Sequence, residues 1–306
     1  MSAAAERTRV AVLGAGSWGT TLAVHLATLG HEVALWDVDA AQIEAIARDR
    51  ENRKFLAGIA LPESIKVCAA KGLELGTLQR MSDVLRETLA DPAPVVLVGP
   101  SHAEEVSLGL PTSIVAASAD RERAERVQRL VASPRLRVYS NRDVAGCEYG
   151  AALKNVIAIA AGICDGLGYG DNTKGALLTR GLAEITRLGV ALGGQRDTFY
   201  GLTGMGDLIT TAISRHSRNR GLGERLGRGE TVGQVLGAMV MVAEGVNTAK
   251  AASDLGRRHG VETPITDQVR AILLDGLEPR AALEALMSRE LKSEEWKGGA
   301  ERGTQG

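Results

Sequence analysis

The sequence predicts an α/β chain, with a doubly wound parallel sheet in its first part and only helices in its second part. Up to Asp143, short apolar runs alternate with helix-length segments, which is the element order of a parallel sheet with crossover helices. After Val144 the strand patterns end and helical patterns follow one another. We therefore expect a first domain over 1–143, an all-helical second domain over 144–291 and a disordered polar tail over 292–306.

The composition argues against several classes of function. The chain has 306 residues and a formal net charge of -1, so it offers no electrostatic attraction for nucleic acid or an anionic membrane. No apolar run approaches the roughly 20 residues that span a bilayer, and the start of the chain lacks the apolar core of a signal peptide. Cys68, Cys147 and Cys164 do not have the spacing of metal ligands. We expect a cytoplasmic protein without a transmembrane segment or a metal.

The chain opens with a strand, a glycine-rich turn, a helix and a second strand. Residues 10–13 form a short apolar run, as in a buried strand, and residues 32–36 repeat that pattern. Between them lie the turn Gly14-Ala15-Gly16-Ser17-Trp18-Gly19 and a helix that ends at Gly30. A GxGxxG turn between a strand and a helix is the fingerprint of a dinucleotide site, which makes this domain Rossmann-type.

Three glycines and one acid have separate roles in such a site. Gly14 would make the tight turn, Gly16 would let the backbone approach a pyrophosphate, and Gly19 would let the helix pack on the strand. The helix N-terminus would add free N–H groups and a positive dipole end. Asp37, 23 positions after Gly14, would bind the ribose 2′-hydroxyl and repel a 2′-phosphate. This acid predicts NAD rather than NADP; the alternative is an ordinary turn residue at the end of a strand.

The rest of the first domain predicts a shortened sheet. Helices are expected over 40–50, 77–89 and 121–131, and strands over 65–70, 95–98, 112–117 and 136–139. Residues 65–67 run directly into 68–70, so only one strand can form there, because a parallel pair needs a crossover of a dozen or more residues. Lys71, Gly99 and Ser101 each follow a strand, at the edge where such sheets bind ligands.

Lys154 is the most informative residue of the helical domain. The expected helices cover 147–163, 172–192, 231–235, 246–259, 264–274 and 279–286. Lys154 lies with Asn155 in the otherwise apolar run 150–162, and a lysine is rarely buried unless another group pairs with it. An ammonium in that position suits acid–base chemistry, whereas the alternative is a lysine that extends to solvent from a helix edge.

Three polar clusters interrupt the remaining helical segments. Gly204-Met205-Gly206-Asp207 predicts a tight turn that places a carboxylate or, alternatively, an Asp that caps a helix. Ser217, Arg218 and Asn219 either combine an anion-binding guanidinium with neutral donors or form a solvated turn. Glu244 stands just before a helix, where an acid is also ordinary.

Eight blocks in a fixed order carry a resemblance that covers nearly the whole chain, to about Lys292. The blocks are GAGSWGT (14–20), AAKGLE (69–74), GPSHAEE with GLPT (99–112), GAALKNVIAIAAG (150–162), TRGLAE (179–184), GMGDL (204–208), SRNR (217–220) and VAEG (242–245). The sequence resembles the bacterial glycerol-3-phosphate dehydrogenases. That resemblance implies reversible hydride transfer between NAD(P)H and dihydroxyacetone phosphate, which supplies sn-glycerol 3-phosphate for phospholipid synthesis. Long helices with small residues are also compatible with a homodimer.

The resemblance implies a role for individual residues. Lys154 would be the general acid/base that gives a proton to the carbonyl oxygen as hydride arrives. The residues implied to hold the substrate and its phosphate are Lys71, Gly99, Ser101, Lys154, Asp207, Thr211, Ser217, Arg218 and Asn219. Those implied to contact the cofactor, besides Gly14, Gly16, Gly19 and Asp37, are Ser17, Trp18, Lys71, Ala103, Arg218, Val242 and Glu244.

Two features depart from the family pattern. A helix–strand–helix segment of roughly forty residues, slightly larger than one βαβ unit, is missing between Val67 and Cys68. Its loss removes a central strand and a turn that lines the nicotinamide site, so we expect reduced stability or activity. Val38 stands where the family often has Arg or His to meet a 2′-phosphate, which again favours NAD.

Two other functions stay open at this point. The missing segment favours a protein that binds a nucleotide or a phosphate without catalysis. A dehydrogenase of another small hydroxy-phosphate or hydroxy acid would keep the same clusters. The Ser-Arg-Asn-Arg cluster at 217–220 argues that such a substrate would carry a phosphate.

Overall fold

The computed structural model describes residues 8–37, 39–68, 93–239 and 243–290 of the chain. Some predictions fall outside these residues: Val38, Lys71, Val242, the helix expected over 77–89 and the tail over 292–306. The described residues form strands with flanking helices, followed by a set of helices packed around a central one.

The first strands form a parallel three-stranded sheet with the order β1-β2-β5. Its strands are β1 (Arg9–Leu13), β2 (Glu32–Trp36) and β5 (Lys66–Cys68). The last residues of the three strands are paired in register, so all three reach the same edge, directly before the glycine-rich turn and Asp37. Helices α1 (Ser17–Thr28) and α2 (Ala40–Asp49) follow the first two strands, as the sequence predicts.

A hairpin that the sequence analysis did not predict supports the glycine-rich turn. It consists of β3 (Glu51–Asn52) and β4 (Leu56–Ala60), which pair antiparallel. The fully buried Asn52 side chain donates to the Ala15 carbonyl and to the Thr20 hydroxyl, both at 2.7 Å. The hairpin therefore holds the turn through a buried amide whose hydrogen bonds are made.

The remaining strands form a second three-stranded sheet with the order β6-β7-β8. Its strands are β6 (Val96–Val98), β7 (Thr112–Ala117) and β8 (Leu136–Asn141), and its helices are α3 (Ala103–Ser107) and α4 (Arg121–Val131). Strands β7 and β8 are parallel, whereas β6 runs antiparallel to β7. The connection from β6 to β7 contains only the five-residue helix α3, and β7 returns antiparallel along β6.

The Rossmann-type domain followed by helices is confirmed, and the structure differs from the expected shortened parallel sheet in how its strands pair. Among the described residues, β1 pairs only with β2 and β6 only with β7, so the two sheets are not hydrogen-bonded to each other. Their apolar faces still share one core, in which Val12 and Leu35 of the first sheet belong with Ile114 and Val138 of the second. The α/β class is confirmed. The division between the two sheets lies at the edge of β1, where the sequence predicts a lost strand.

We expect β5 and β6 to exchange their amide hydrogens faster than the same strands of a relative that carries the missing segment. Within the described part of the chain each has a single neighbouring strand, and amides at a sheet edge open at a lower free energy than central ones. Hydrogen exchange followed by mass spectrometry over 65–70 and 95–98 checks this, with the central strand β7 as the internal control. Equal protection in the two proteins would contradict the prediction.

The helices after Asp143 pack around α5 (Val144–Gly166). Asp143 caps α5, because its carboxylate accepts from Gly146 N at 2.8 Å and also from Gln195 N at 2.7 Å. The other elements are α6 (Asp171–Ala191), α7 (Arg196–Tyr200), a π-helical turn (Leu202–Gly206), α8 (Asp207–Ile213), α9 (Arg218–Gly227), α10 (Val232–Ala238), α11 (Gly245–His259), α12 (Pro264–Arg270), a second π-helical turn (Ala271–Asp275) and α13 (Pro279–Met287). The helix expected over 264–274 is thus divided into α12 and a π-helical turn.

Helix α5 is long and apolar enough to cross a membrane by length and composition, and it is the one such helix within the described ranges. This corrects the expectation that no apolar run reaches that length. The surrounding helices bury 72% of the apolar stretch, which is the environment of a core helix in a packed domain.

Helices α5 and α9 meet along glycines, so that their backbones touch. A Cβ added to Gly162 would lie 2.0 Å from the Arg220 carbonyl oxygen, and one added to Gly223 would lie 2.0 Å from the Ile159 carbonyl oxygen. No side chain fits at either position, and the two helices therefore approach more closely than helices with larger side chains at the contact. We call the contact made by Gly162, Gly166, Gly223 and Gly227 the glycine seam.

Candidate active site

Lys154 on α5 is held by a carboxylate and a hydroxyl from α8. Its Nζ donates to Asp207 Oδ1 and to Thr211 Oγ1, each at 2.8 Å, and Thr211 Oγ1 donates to the same carboxylate at 3.2 Å. The Lys154 side chain is 14% exposed and that of Asp207 is 7% exposed. These contacts exclude a lysine that extends to solvent, and they leave the third ammonium hydrogen for another acceptor.

The two partners of Lys154 lie one helical turn apart. Asp207 and Thr211 are four residues apart on α8 and therefore share one helix face. The backbone before α8 approaches α5 closely, since a Cβ on Gly150 would lie 2.7 Å from the Thr203 carbonyl oxygen. The expected tight turn before Asp207 is π-helical instead, and Asp207 is the first residue of α8 rather than its cap. Single π-helical turns occur often at functional sites.

The Ser217-Arg218-Asn219 cluster forms the beginning of α9. Ser217 is the N-cap of α9, and its Oγ accepts from Arg220 N at 3.1 Å. Asn219 is buried, and its Oδ1 accepts from Gly245 N at 2.9 Å, which leaves the Nδ2 group as its donor end. Arg218 is half-buried in the first turn. A guanidinium and an amide donor at the positive end of a helix are suited to an anion such as a phosphate.

Arg220, the last residue of the SRNR block, has a different role from Arg218. Its guanidinium pairs with Asp165 at 2.7 Å and with Glu224 at 3.1 Å, and Asp165 also pairs with Lys174. Asp165 belongs to α5 and Lys174 to α6. Arg220 thus anchors the start of α9 to α5, through a carboxylate that also binds Lys174 of α6.

Glu244 brings the start of α11 to the same region. It directly precedes α11, as the sequence predicts, and Asn155 Nδ2 lies 3.5 Å from Glu244 Oε2, at the limit of a hydrogen bond. The neighbours Lys154 and Asn155 therefore face different helices, α8 and α11 respectively. Helix α5 thereby lies against the starts of α8 and α11, and Asn219 at the start of α9 bonds to Gly245 of α11.

The glycine-rich turn has the shape that a pyrophosphate requires. Gly14 has a φ of +106°, a conformation that favours glycine, and Gly16 directly precedes α1, whose first residue is Ser17. A Cβ on Gly19 would lie 1.9 Å from the Gly14 carbonyl oxygen, so α1 touches the turn there. Trp18 is half-buried against the core of the first domain. These residues fit a dinucleotide with its phosphates at the start of α1.

Asp37 is tied to this turn. Its carboxylate is 6% exposed, with Oδ2 accepting from Ala15 N at 2.6 Å and Oδ1 accepting from Asp39 N at 3.1 Å. The bond to Asp39 is the ordinary turn contact that the sequence analysis left open, and the bond to Ala15 joins Asp37 to the dinucleotide turn. A carboxylate has about four acceptor positions, so two remain for ribose hydroxyls.

The Gly99–Ala103 segment lies next to the cofactor helix. Gly99 has a φ of +128°, and Ser101 Oγ donates to the Gly99 carbonyl at 3.0 Å. The Ala103 carbonyl accepts from Thr21 Oγ1 on α1 at 3.2 Å. The structure therefore places the segment that carries the predicted substrate residues Gly99 and Ser101 against α1, the helix that follows the glycine-rich turn.

His102 lies in this segment, and the sequence analysis did not select it. Burial lowers the pKa of its imidazole, and the charge of Lys154 lowers it further. Its ring centroid is 6.2 Å from that of His216, which precedes Ser217. The position of His102 between Ser101 and Ala103 was a signal that could have found it.

Two family models match most of the chain. Residues 143–284 match the NAD-dependent glycerol-3-phosphate dehydrogenase C-terminus. The N-terminus model of the same family matches in two segments, 9–69 and 64–124. The break between these segments falls at the place where the sequence analysis identifies a missing segment, between Val67 and Cys68.

The chain is similar along its length to bacterial proteins named glycerol-3-phosphate dehydrogenase (NAD(P)+). It is 45% identical over 326 residues to the one from Desulfitobacterium hafniense, covering 94% of this chain and 93% of the relative. It is 47% identical over 334 residues to the one from Geobacter sulfurreducens, covering 94% and 99% respectively. Both alignments are longer than the 306-residue chain, so these relatives carry internal positions that have no counterpart here.

A solved structure has the same fold. The crystal structure of glycerol-3-phosphate dehydrogenase from Coxiella burnetii is similar with a TM-score of 0.88 and 32% identity, covering 92% of this chain and 99% of that chain. The shared fold, the two family models and the similarity to bacterial relatives all lead to one conclusion. The chain belongs to the NAD-dependent glycerol-3-phosphate dehydrogenase family.

Proposed function

We propose that this protein is an NAD(P)-dependent sn-glycerol-3-phosphate dehydrogenase, which transfers hydride reversibly between NAD(P)H and dihydroxyacetone phosphate. The observation that carries the proposal is the Lys154 ammonium, held at 2.8 Å from both Asp207 and Thr211 on helices that also pack against the start of α9. This arrangement combines a proton donor with an anion site. The product would supply phospholipid synthesis in the cytoplasm.

Lys154 is the proposed general acid in the reducing direction. Its Nζ gives a proton to the carbonyl oxygen of the substrate as the carbonyl carbon accepts hydride, and takes it back in the reverse reaction. Asp207 and Thr211 fix the position of the ammonium, so a positive charge is already in place when the alkoxide develops. The nicotinamide, when bound, supplies or accepts the hydride.

The other predicted residues have binding roles in this proposal. The residues that would hold the substrate and its phosphate are Lys71, Gly99, Ser101, Asp207, Thr211, Ser217, Arg218 and Asn219. The residues that would hold the cofactor are Gly14, Gly16, Ser17, Trp18, Gly19, Asp37, Lys71, Ala103, Arg218, Val242 and Glu244. The Gly99–Ala103 segment supports this division, because its Ala103 carbonyl accepts from Thr21 on α1 and its His102 ring lies 6.2 Å from the ring of His216, which precedes α9.

NAD is the cofactor that we expect the protein to prefer. Asp37 is buried next to the turn, and a 2′-phosphate would bring a second negative charge beside it. The ratio kcat/KM should be at least about tenfold higher with NADH than with NADPH, which corresponds to about 1.4 kcal/mol. The variant Asp37→Asn keeps an acceptor oxygen for Ala15 N but removes the charge. It should therefore bring the kcat/KM values with NADH and NADPH closer together. A higher kcat/KM with NADPH in the wild type would contradict the preference.

A protein that binds nucleotide without catalysis is the second candidate, and the division of the sheet favours it. Oxidation of NADH by purified, monodisperse protein, with and without dihydroxyacetone phosphate, separates the two. Turnover that depends on this substrate supports the dehydrogenase, and unphosphorylated dihydroxyacetone at the same concentration is the matched control. A folded protein that binds NADH but gives no turnover would favour the second candidate.

The domain limits and the assembly also belong to the proposal. Asp143 caps the first helix of the second part, which supports a division into 1–143 and 144–291. A homodimer stays a prediction, for which light scattering on the purified protein is the measurement.

A further inference from the structure

His102 has a buried ring nitrogen without a protein partner. Its Nε2 is shielded from solvent and has no hydrogen-bond partner among the described residues. A buried polar atom without a partner loses about 1–3 kcal/mol relative to a hydrogen-bonded one. Such atoms in native structures call for an explanation, of which an absent ligand or water is one.

Groups from both parts of the chain surround this ring. His102 precedes α3 of the first domain, whereas the Thr210 carbonyl on α8 and the His216 ring belong to the second. Lys154 is close enough for its charge to act on the imidazole. The ring therefore lies within electrostatic reach of the proposed proton donor and 6.2 Å from the ring of His216, the residue before the phosphate cluster.

The neutral His102 ring is suited to a ligand group without a charge. Burial lowers the pKa of the imidazole and Lys154 lowers it further, against the weaker opposite effects of Glu104, Glu105 and the Thr210 carbonyl. The ring is therefore neutral at pH 7, with one donor and one acceptor nitrogen. A neutral ring can bind a hydroxyl group without placing a second positive charge beside Lys154.

We propose that His102 Nε2 binds a hydroxyl group of the substrate, next to the carbonyl group that Lys154 protonates. This inference rests on the proposed function and adds a substrate contact to it. The residues on either side, Ser101 and Ala103, are predicted to contact the substrate and the cofactor respectively. In dihydroxyacetone phosphate the free hydroxyl is on the carbon adjacent to the carbonyl, so a ring within electrostatic reach of Lys154 is suited to bind it.

Replacement of His102 by Phe keeps a ring in this position and removes both ring nitrogens, Nε2 and the one that bonds to the Thr210 carbonyl. We expect His102→Phe to raise the KM for dihydroxyacetone phosphate about tenfold, the equivalent of one net hydrogen bond, while the KM for NADH changes less than about twofold. His102→Gln, whose amide can still bond a hydroxyl, should recover part of the lost affinity. The melting temperatures of both variants show whether the fold is retained.

A second readout observes the imidazole itself. In ¹⁵N NMR spectra of the histidine side chains, saturating sn-glycerol 3-phosphate should shift the Nε2 resonance of His102. His259, exposed at the end of α11, is the control whose resonance should stay in place.

Two results would overturn the inference. One is a His102→Phe variant with an unchanged KM for dihydroxyacetone phosphate in an active enzyme, and the other is a His102 resonance that does not move at saturation. Failure of the proposed function looks different, because the wild type itself would then give no turnover with dihydroxyacetone phosphate. In that case the titration with sn-glycerol 3-phosphate alone decides whether His102 meets the ligand.

Discussion

Lys154→Ala is expected to lower kcat by about 10³-fold and to leave the KM for NADH within about twofold of the wild type. The substitution removes both the proton donor and the positive charge that meets the developing alkoxide. The glycine-rich turn lies on other elements, so cofactor binding should be retained. Steady-state rates of NADH oxidation, combined with fluorescence titration of NADH, measure the two effects separately.

The loss of kcat can be assigned to Lys154 only if the variant is folded. This needs a check, because Lys154→Ala leaves Asp207 buried without its cation. Breaking a buried ion pair costs about 3–5 kcal/mol. The double variant Lys154→Met with Asp207→Asn removes both charges, so it should melt closer to the wild type and still be inactive. Lys250→Ala, on the exposed side of α11, is the matched control and should keep the wild-type rate. A Lys154→Ala rate above about a tenth of the wild type would exclude Lys154 as the general acid.

Gly223→Ala is expected to lower the melting temperature by about 6 °C or more. The added methyl group would lie 2.0 Å from the Ile159 carbonyl oxygen and 2.9 Å from Ile163 N, and neither atom belongs to a side chain that can turn away. Helices α5 and α9 would have to separate, for which about 3 kcal/mol is the expected cost of overpacking. Differential scanning calorimetry measures the shift.

Gly221→Ala on the same helix is the matched control. This position has open space, since no heavy atom outside the adjacent backbone of α9 lies within 4 Å of the added Cβ. Alanine is a better helix former than glycine by about 0.5–1 kcal/mol, so this variant should be as stable as the wild type or more stable. If both variants melted at the same temperature, backbone contact at the glycine seam would not be what limits stability.

The sequence predicts the parts of the fold that depend on residues close to each other in the chain. The strand, turn and helix around Gly14–Gly19 are visible because an apolar run, the glycine spacing and helical periodicity follow each other directly. The start of α11 after Glu244 is visible for the same reason. The β3–β4 hairpin was missed because its strands are short and it is held in place by Asn52, which bonds to residues 32 and 37 positions away.

The direction of β6 shows a second limit. The apolar residues 95–98 predict a strand, but nothing in them tells whether it runs parallel or antiparallel to its neighbour. The structure shows that β6 runs antiparallel to β7, its only neighbouring strand among the described residues. The loss of a strand was therefore predictable, whereas the resulting pairing was not.

In the site as well, the sequence indicates which residue types take part but not which of them contact each other. A lysine in an apolar helix indicates a partner, but Asp207 and Thr211 are 53 and 57 positions away from Lys154. No spacing rule connects residues at such distances, and only the order of the family blocks suggested that they belong together. His102 was missed because a histidine beside a helix start has no distinctive pattern of its own, and only its position between Ser101 and Ala103 could have indicated it.

The glycine seam has a consequence for motion. Where two helices touch through their backbones, no side chain lies between them that could change rotamer and let one helix slide over the other. Lys154 on α5 and the Ser217-Arg218-Asn219 cluster at the start of α9 therefore belong to one stiff frame. We therefore expect that any opening that admits a substrate involves elements outside this helix pair, and that the distance between Lys154 and the Ser217-Arg218-Asn219 cluster stays nearly constant.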